Sequence, residues 1–173
     1  MRIQTPRLVL RPLEISDLVS THEYASDTTI TQYMVHLPND NIQETESYLN
    51  KVATEWKAEV PRFFEFAITL NNKHIGAVSF HYKDDERHEG ELGWMINKSY
   101  QGNGYATEAA KAVLNFAFNE CKVRKVIATC DYRNGASVKV MKKIGLSLER
   151  DDEVRRYKGS NEDIKGLMFS LSL

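Results

Sequence analysis

Cysteine is scarce in this chain: of 173 residues only Cys121 and Cys130 carry thiols. They make neither a metal-ligand cluster nor a disulfide framework, and read as small apolar side chains in a reduced compartment. No apolar run approaches the roughly 20 residues that span a bilayer, and the N-terminus lacks the apolar stretch of a signal peptide. The expected location is cytoplasmic, with no membrane partner. An excess of charge is missing too. The net charge of −1 leaves no basic footprint of the kind that marks nucleic-acid-binding domains, so no direct nucleic-acid partner is expected. Prolines number four, and no linker, repeat or low-complexity tract interrupts the chain. A length of 173 residues suits one domain spanning 1–173, long enough to bury a sizeable core.

What is present is an alternation of strand-like and helix-like patterns. Arg7 to Leu13 alternates like a strand. Ser16 is placed to cap a helix running through Tyr24 and Ala25. Asn39, Asp40 or Asn41 starts a longer helix whose Ile42, Thr45, Leu49, Val52, Ala53 and Trp56 share one face. Phe63 to Leu70 and Ile75 to Phe80 read as strands joined by Asn71-Asn72-Lys73-His74, a hairpin signal. Lys83 to His88 is a charged, solvated loop. Strands follow at Glu89 to Ile96 and Lys125 to Asp131, with a helix from about Ala106 between them. A short helix from about Ser137 to Ile144 stops at Gly145. Leu146 to Leu173 then reads as two strands around Lys158-Gly159-Ser160-Asn161. Interleaved strands and helices make an α/β layered domain.

The most informative stretch is Glu91 to Ala106, ELGWMINKSYQGNGYA. A buried-strand run, Leu92 to Ile96, ends in a polar turn. Gln101-Gly102-Asn103-Gly104-Tyr105-Ala106 then leads straight into the helix, whose apolar face is Ala106, Ala110, Val113, Leu114, Ala117 and Phe118. The unpaired N–H groups of a helix start, with the positive end of its dipole, suit phosphate oxygens. Glycine there lets a ligand come close to the backbone. Three phosphate loops compete. A nucleoside-triphosphate loop needs Lys-Ser/Thr after its last glycine, where this chain has Tyr105-Ala106. A dinucleotide fingerprint needs a third glycine where Thr107 stands, although Asp131 closes a later strand at a tolerable distance. The third pattern, Q/R-x-x-G-x-G/A between strand and helix, matches Gln101 to Ala106 at every fixed position. For these six residues alone, a glycine-rich turn that needs no ligand remains the alternative.

That third pattern resembles the acetyl-CoA pyrophosphate loop of the GNAT superfamily of N-acetyltransferases. Thr5-Pro6-Arg7-Leu8-Val9-Leu10-Arg11-Pro12-Leu13, followed by Ser16-Asp17, resembles the opening of its RimJ/RimL-like branch. Arg133-Asn134-Gly135-Ala136-Ser137, then Met141-Lys142-Lys143-Ile144-Gly145-Leu146, resembles the branch's N-x-x-S…K-x-G-F segment, with Leu146 in place of the usual aromatic. These stretches cover nearly the whole chain. The resemblance implies a mixed, splayed β-sheet with helices on both faces, and acetyl-CoA as co-substrate wedged into the splay, with no metal. It implies CoA contacts from Gln101, Gly102, Asn103, Gly104, Tyr105, Ala106 and Thr107, from the backbone of Trp94, Met95 and Ile96, and from Asn134. Lys139, Lys142 and Lys143 either reach the 3′-phosphate or form a solvated helix face. The implied acceptor is a primary amine, first the N-terminal α-amine of a protein. A small amine acceptor, or a non-catalytic CoA-binding module, is the alternative. The chain is expected as a monomer or homodimer.

Acetyl transfer to an amine needs an unprotonated nucleophile, a stabilised oxyanion and a protonated leaving thiolate. An α-amine, with a pKa of about 7.7–8.0, is easier to free at pH 7 than a lysine at about 10.4. Glu91 is the leading base candidate, because it starts the strand that feeds the loop and related enzymes often carry a carboxylate there. A solvated strand-edge glutamate is the plain alternative. Glu65, on the hairpin strand, stands in reserve, with bulk water behind it. For the leaving thiol, many members place a tyrosine where this chain has Met141, which cannot donate a proton. Ser137 becomes the candidate acid or thiolate hydrogen-bond donor; capping the helix is its other role. Tyr132 and Tyr105 are alternative hydroxyls.

Overall fold

The computed structural model describes residues 1–173. Its strands are β1 (Ile3–Gln4), β2 (Val9–Pro12), β3 (Phe63–Leu70), β4 (Lys73–Tyr82), β5 (Glu89–Ile96), β6 (Lys125–Asp131), β7 (Ser147–Arg155) and β8 (Ile164–Ser172). Its helices are α1 (Leu18–Ala25), α2 (Thr28–Thr31), α3 (Ile42–Lys57), α4 (Tyr105–Asn119) and α5 (Gly135–Lys143). All strands join one sheet in the order β1-β2-β3-β4-β5-β6-β8-β7. Its pairs are antiparallel except β5 with β6, which run parallel. A parallel pair needs a crossover, and α4 supplies it.

Period-two alternation sends successive side chains of the middle strands to opposite faces. Phe66, Ile68, Val78, Phe80, Leu92 and Ile96 pack with Val113, Leu114 and Phe116 of α4 and Met141 of α5 in the largest apolar cluster. On the other face, Phe63 and Ala67 meet Leu49 and Val52 of α3, while Ala77 meets Tyr24 and Ala25 of α1. Helices therefore cover both faces of a mixed sheet. No helix is long and apolar enough to cross a membrane.

Several local signals take a different form from the one the sequence suggests. Residues 15–17 form a 3-10 turn ahead of α1, and the Glu14 N–H donates to Asp17 Oδ2 at 3.0 Å, so Ser16 is not the cap. Asn41 caps α3, its Oδ1 accepting from the Glu44 N–H at 3.0 Å. α2 is a short addition in which Asp27 Oδ1 accepts from the N–H groups of Thr29 and Ile30. The hairpin turn is Asn71-Asn72 alone, with φ of 48° and 65°, values that the two central residues of a tight hairpin turn require and asparagine tolerates.

One interruption in the sheet opens the edge of β5. β5 and β6 pair only at Glu89–Lys125, Gly90–Val126 and Glu91–Ile127. Beyond that the strands part, and the rest of β6 keeps its ladder with β8 as far as Asp131–Gly166. The stretch from Leu92 to Ile96 pairs with β4 alone.

Phe66 is fully buried and meets Trp56 and Phe116 edge to face, with ring centroids 5.1 and 5.5 Å apart. Phe66→Ala is expected to cost about 3–5 kcal/mol. Urea unfolding should show the loss as a lower midpoint with unchanged slope.

Candidate active site

Where β5 leaves β6, the chain turns through residues 98–100 into the glycine loop and α4. Gly102 and Gly104 both sit at φ +79°, in the left-handed region that L side chains avoid. The loop's carbonyl groups are tied down by side chains. Asn103 Nδ2 donates to the carbonyls of Tyr100 and Gln101, at 3.1 and 3.0 Å. Gln101 Nε2 donates to the Ile96 carbonyl at 2.9 Å. The Arg7 guanidinium donates to the Asn103 carbonyl at 3.0 Å, stacks 4.7 Å from the Tyr105 ring and pairs with Glu108 at 2.6 Å. By contrast, none of the N–H groups from Gly102 to Thr107 has an acceptor within the protein. Carbonyls are held and donors left open, which is the arrangement a pyrophosphate needs.

Two clefts meet beside this loop. The first, of about 410 Å³, is lined by Trp94, Met95, Ile96, Gln101, Gly102, Gly104, Tyr105, Ala106, Thr107, Asn134 and Ser137, together with Thr29, Ile30, Gln32, Tyr33 and Met34. It gathers every residue the resemblance assigns to CoA except Asn103, whose amide braces the loop instead. Asn134 Oδ1 accepts from the Ser137 N–H at 3.1 Å, so Asn134 is the cap of α5 and the Ser137 hydroxyl is not used for capping. Met141 is 1% exposed and belongs to the core. Lys139 and Lys143 line the cleft while Lys142 does not, and Tyr132, about half exposed, lies outside it.

The second cleft, of about 400 Å³, opens on the opposite face of the sheet, between α1, α3 and the end of β7. Met34, Trp94 and Met95 line both clefts, so the two adjoin at the free edge of β5. Glu65 is the sole acidic residue lining the second cleft. It is 8% exposed and accepts a hydrogen bond from the Tyr48 hydroxyl at 2.8 Å. Burial raises its pKa to about 7, an effect the Tyr48 hydrogen bond only partly offsets. His81, stacked on Phe63 at 5.0 Å, also lines this cleft, and burial lowers its pKa, so it is neutral at pH 7.

Glu91 shares the face of Glu65 but not its position. It lies outside the lining of both clefts. One carboxylate oxygen pairs with Lys83 Nζ at 2.7 Å and the other accepts from Thr129 Oγ1 at 2.8 Å. What the sequence did not reveal is that both oxygens are occupied. Tyr48, His81 and Arg155 were not singled out by sequence reasoning either. They come from α3, β4 and β7, and no local motif links them.

Comparisons with known proteins identify the family and the fold. The model for the acetyltransferase (GNAT) domain matches residues 7–147, and the chain belongs to that family. The uncharacterized N-acetyltransferase YnaD of Bacillus subtilis (strain 168) is 37% identical over 153 residues, covering 86% of this chain and 84% of YnaD. A GNAT-family acetyltransferase from Bacillus anthracis has the same fold with a TM-score of 0.84 at 32% identity, covering 99% of this chain and 98% of the other. Two more distant structures share the fold. RimL, a ribosomal L7/L12 α-N-protein acetyltransferase in complex with coenzyme A, has a TM-score of 0.87 at 17% identity, covering 100% and 98% of the two chains. Spermidine N-acetyltransferase from Vibrio cholerae, in complex with CoA and spermine, has a TM-score of 0.83 at 20% identity, covering 97% and 96%. The chain is an acetyl-CoA-dependent N-acetyltransferase.

A Cβ built on Gly104 meets only the Arg7 guanidinium, at 3.6 Å. Gly104→Asp therefore strains φ modestly but sets a carboxylate among the open N–H donors. Acetyl-CoA affinity is expected to fall at least tenfold in a folded protein. Calorimetry showing unchanged affinity would remove the pyrophosphate from this loop.

Proposed function

We propose that this enzyme transfers the acetyl group directly to a single primary amine, first of all the N-terminal α-amine of a protein or peptide. The observation that carries this reading is Glu65, a buried carboxyl in the cleft that adjoins the CoA cleft at Trp94 and Met95. With a pKa of about 7, Glu65 is matched to an α-amine near 8, a gap of about 1 unit or 1.4 kcal/mol. A lysine near 10.4 leaves a gap of about 3.4 units, roughly 4.6 kcal/mol. A polyamine needs several carboxylates, and this cleft offers one together with the cation of Arg155. Both arguments favour the type of acceptor named for RimL over the one named for the Vibrio spermidine enzyme.

In this mechanism Glu65 takes the amine's proton, directly or through a water. Tyr48 holds its carboxyl in place. Glu91 acts as a positioning residue, because Thr129 bridges it to Arg155: Arg155 Nη1 donates to Thr129 Oγ1 at 3.1 Å, and Thr129 donates to Glu91. The Ser137 hydroxyl, free of capping, serves the departing thiolate as a hydrogen-bond donor. Bound acetyl-CoA supplies the activated acyl carbon, and the open N–H groups of residues 102–107 anchor its pyrophosphate.

Because Glu65 is active when ionised, kcat/KM toward an α-amine peptide should rise with pH through about 7. Glu65→Gln should lower kcat/KM by about 10²–10⁴ and abolish that limb. A Glu91→Gln enzyme that loses the limb while Glu65→Gln keeps it would return the base to Glu91. Tight CoA binding without thiol release toward any amine would mark a silent module. For the leaving group, Ser137→Ala should lower kcat about tenfold or more with acetyl-CoA affinity little changed, as befits a contact made while charge develops. Stopped-flow turnover and calorimetry together separate this from a loss of binding.

A further inference from the structure

Three buried polar side-chain atoms in this protein lack a well-formed hydrogen bond: Thr21 Oγ1 and Tyr24 Oη, which lie close to one another, and Arg155 Nε, which has no partner. All three residues line the second cleft. Buried polar groups in folded proteins are nearly always satisfied, and leaving one unmet costs roughly 1–3 kcal/mol. Three on one cleft, from α1 and from β7, mark a place where a ligand completes the bonding.

Arg155 decides the chemistry of that ligand. It ends β7, where the register with β8 is regular again after the shifts between Leu148 and Glu153, and its stem crosses Gly166, at which a Cβ would come within 3.0 Å of Arg155 Cγ and Cδ. Its guanidinium makes two contacts, both neutral: Thr129 Oγ1 at 3.1 Å and the Tyr33 carbonyl at 3.3 Å. Unlike Arg7, Arg11 or Arg133, it pairs with no carboxylate. A half-buried guanidinium that lacks an anion and keeps a donor unmet is built to receive one, since its fork matches a carboxylate.

We infer that the second cleft selects an α-amine whose own molecule carries a carboxylate nearby, and that Arg155 is the residue that reads it. This rests on the acceptor reading given above. The amine end goes to Glu65 and the anionic end to Arg155, so the cleft's two charges oppose those of the ligand. The carboxylate comes either from an acidic side chain next to a peptide N-terminus or from the C-terminus of a free amino acid.

The test compares acceptors that differ in that charge, with kcat/KM referred to the unprotonated amine, because a carboxylate beside an amine also raises the amine's pKa. The pair Ala-Asp-Ala-Ala-amide and Ala-Asn-Ala-Ala-amide probes the side-chain source, and leucine against leucinamide probes the free amino acid. For the correct source, the wild-type enzyme should prefer the acid in kcat/KM by about 10- to 100-fold, the range of one charge-assisted hydrogen bond. Arg155→Gln should bring that ratio close to one, and Arg155→Lys, which keeps charge without the fork, should retain part of it. The wild-type ratio stands on its own if a variant folds poorly. Turnover of both members of each pair with no preference, or a preference that survives in folded Arg155→Gln, overturns the role of Arg155 while leaving the acetyltransferase reading intact. No turnover of any of the four acceptors overturns the α-amine reading, and this inference with it.

Discussion

The parting of β5 from β6 is the constraint on which the rest of the structure depends. Three residue pairs hold the strands together, ending at Glu91–Ile127. An unpaired strand edge buried in a protein is unfavourable unless something completes its hydrogen bonds. Here the free edge at Trp94, Met95 and Ile96 lines the cleft that leads to the glycine loop, and an extended ligand arm can complete it as an added strand would. The same divergence sends β5 directly into the loop, whose open N–H groups lie at the end of that edge. Binding of a long, phosphate-bearing co-substrate thus follows from one interruption in one ladder.

The interruption also brings two environments of opposite character into contact. The proposed CoA side presents backbone donors, while the proposed acceptor side, of similar volume, is assembled from segments distant in sequence. Lys158, just past β7, anchors the C-terminal hairpin to the opposite wall. Its N–H donates to the Val35 carbonyl, and its ammonium pairs with Asp40 and Glu44 at 2.8 and 3.3 Å. On the proposed acceptor side the Glu65 carboxyl is withdrawn from water and the Arg155 guanidinium partly so, which costs stability. Proteins retain such local conflicts at functional sites, and here they fall in the cleft proposed for the amine.

The fold was largely legible in the chain, because its cues are local. Leu92 to Ile96, the glycine corner and the apolar stripe of α4 declare strand, loop and helix within thirty residues, and their order matches a known family. The residues proposed to hold CoA share that locality, since most come from the two motifs around Gly104 and Asn134. Those of the proposed acceptor cleft do not. Glu65, Tyr48, His81 and Arg155 converge from four elements, and nothing near Glu65 in sequence reports that Tyr48 covers it. Glu91 was conspicuous near the start of the strand that feeds the loop; its pairing with Lys83 and Thr129 depends on cross-strand register that sequence spacing does not reveal. The helix-cap role of Ser137 went to Asn134 by a shift of a single turn.

In the proposed mechanism, burial makes Glu65 a base poised near neutrality in the cleft that adjoins the first at Trp94 and Met95. A ¹³C-carboxyl NMR titration of the free protein, with Glu65 assigned by its loss in Glu65→Gln, reads this without any choice of acceptor. The account predicts a midpoint close to pH 7. A midpoint near the ordinary glutamate value of about 4.3 would contradict it.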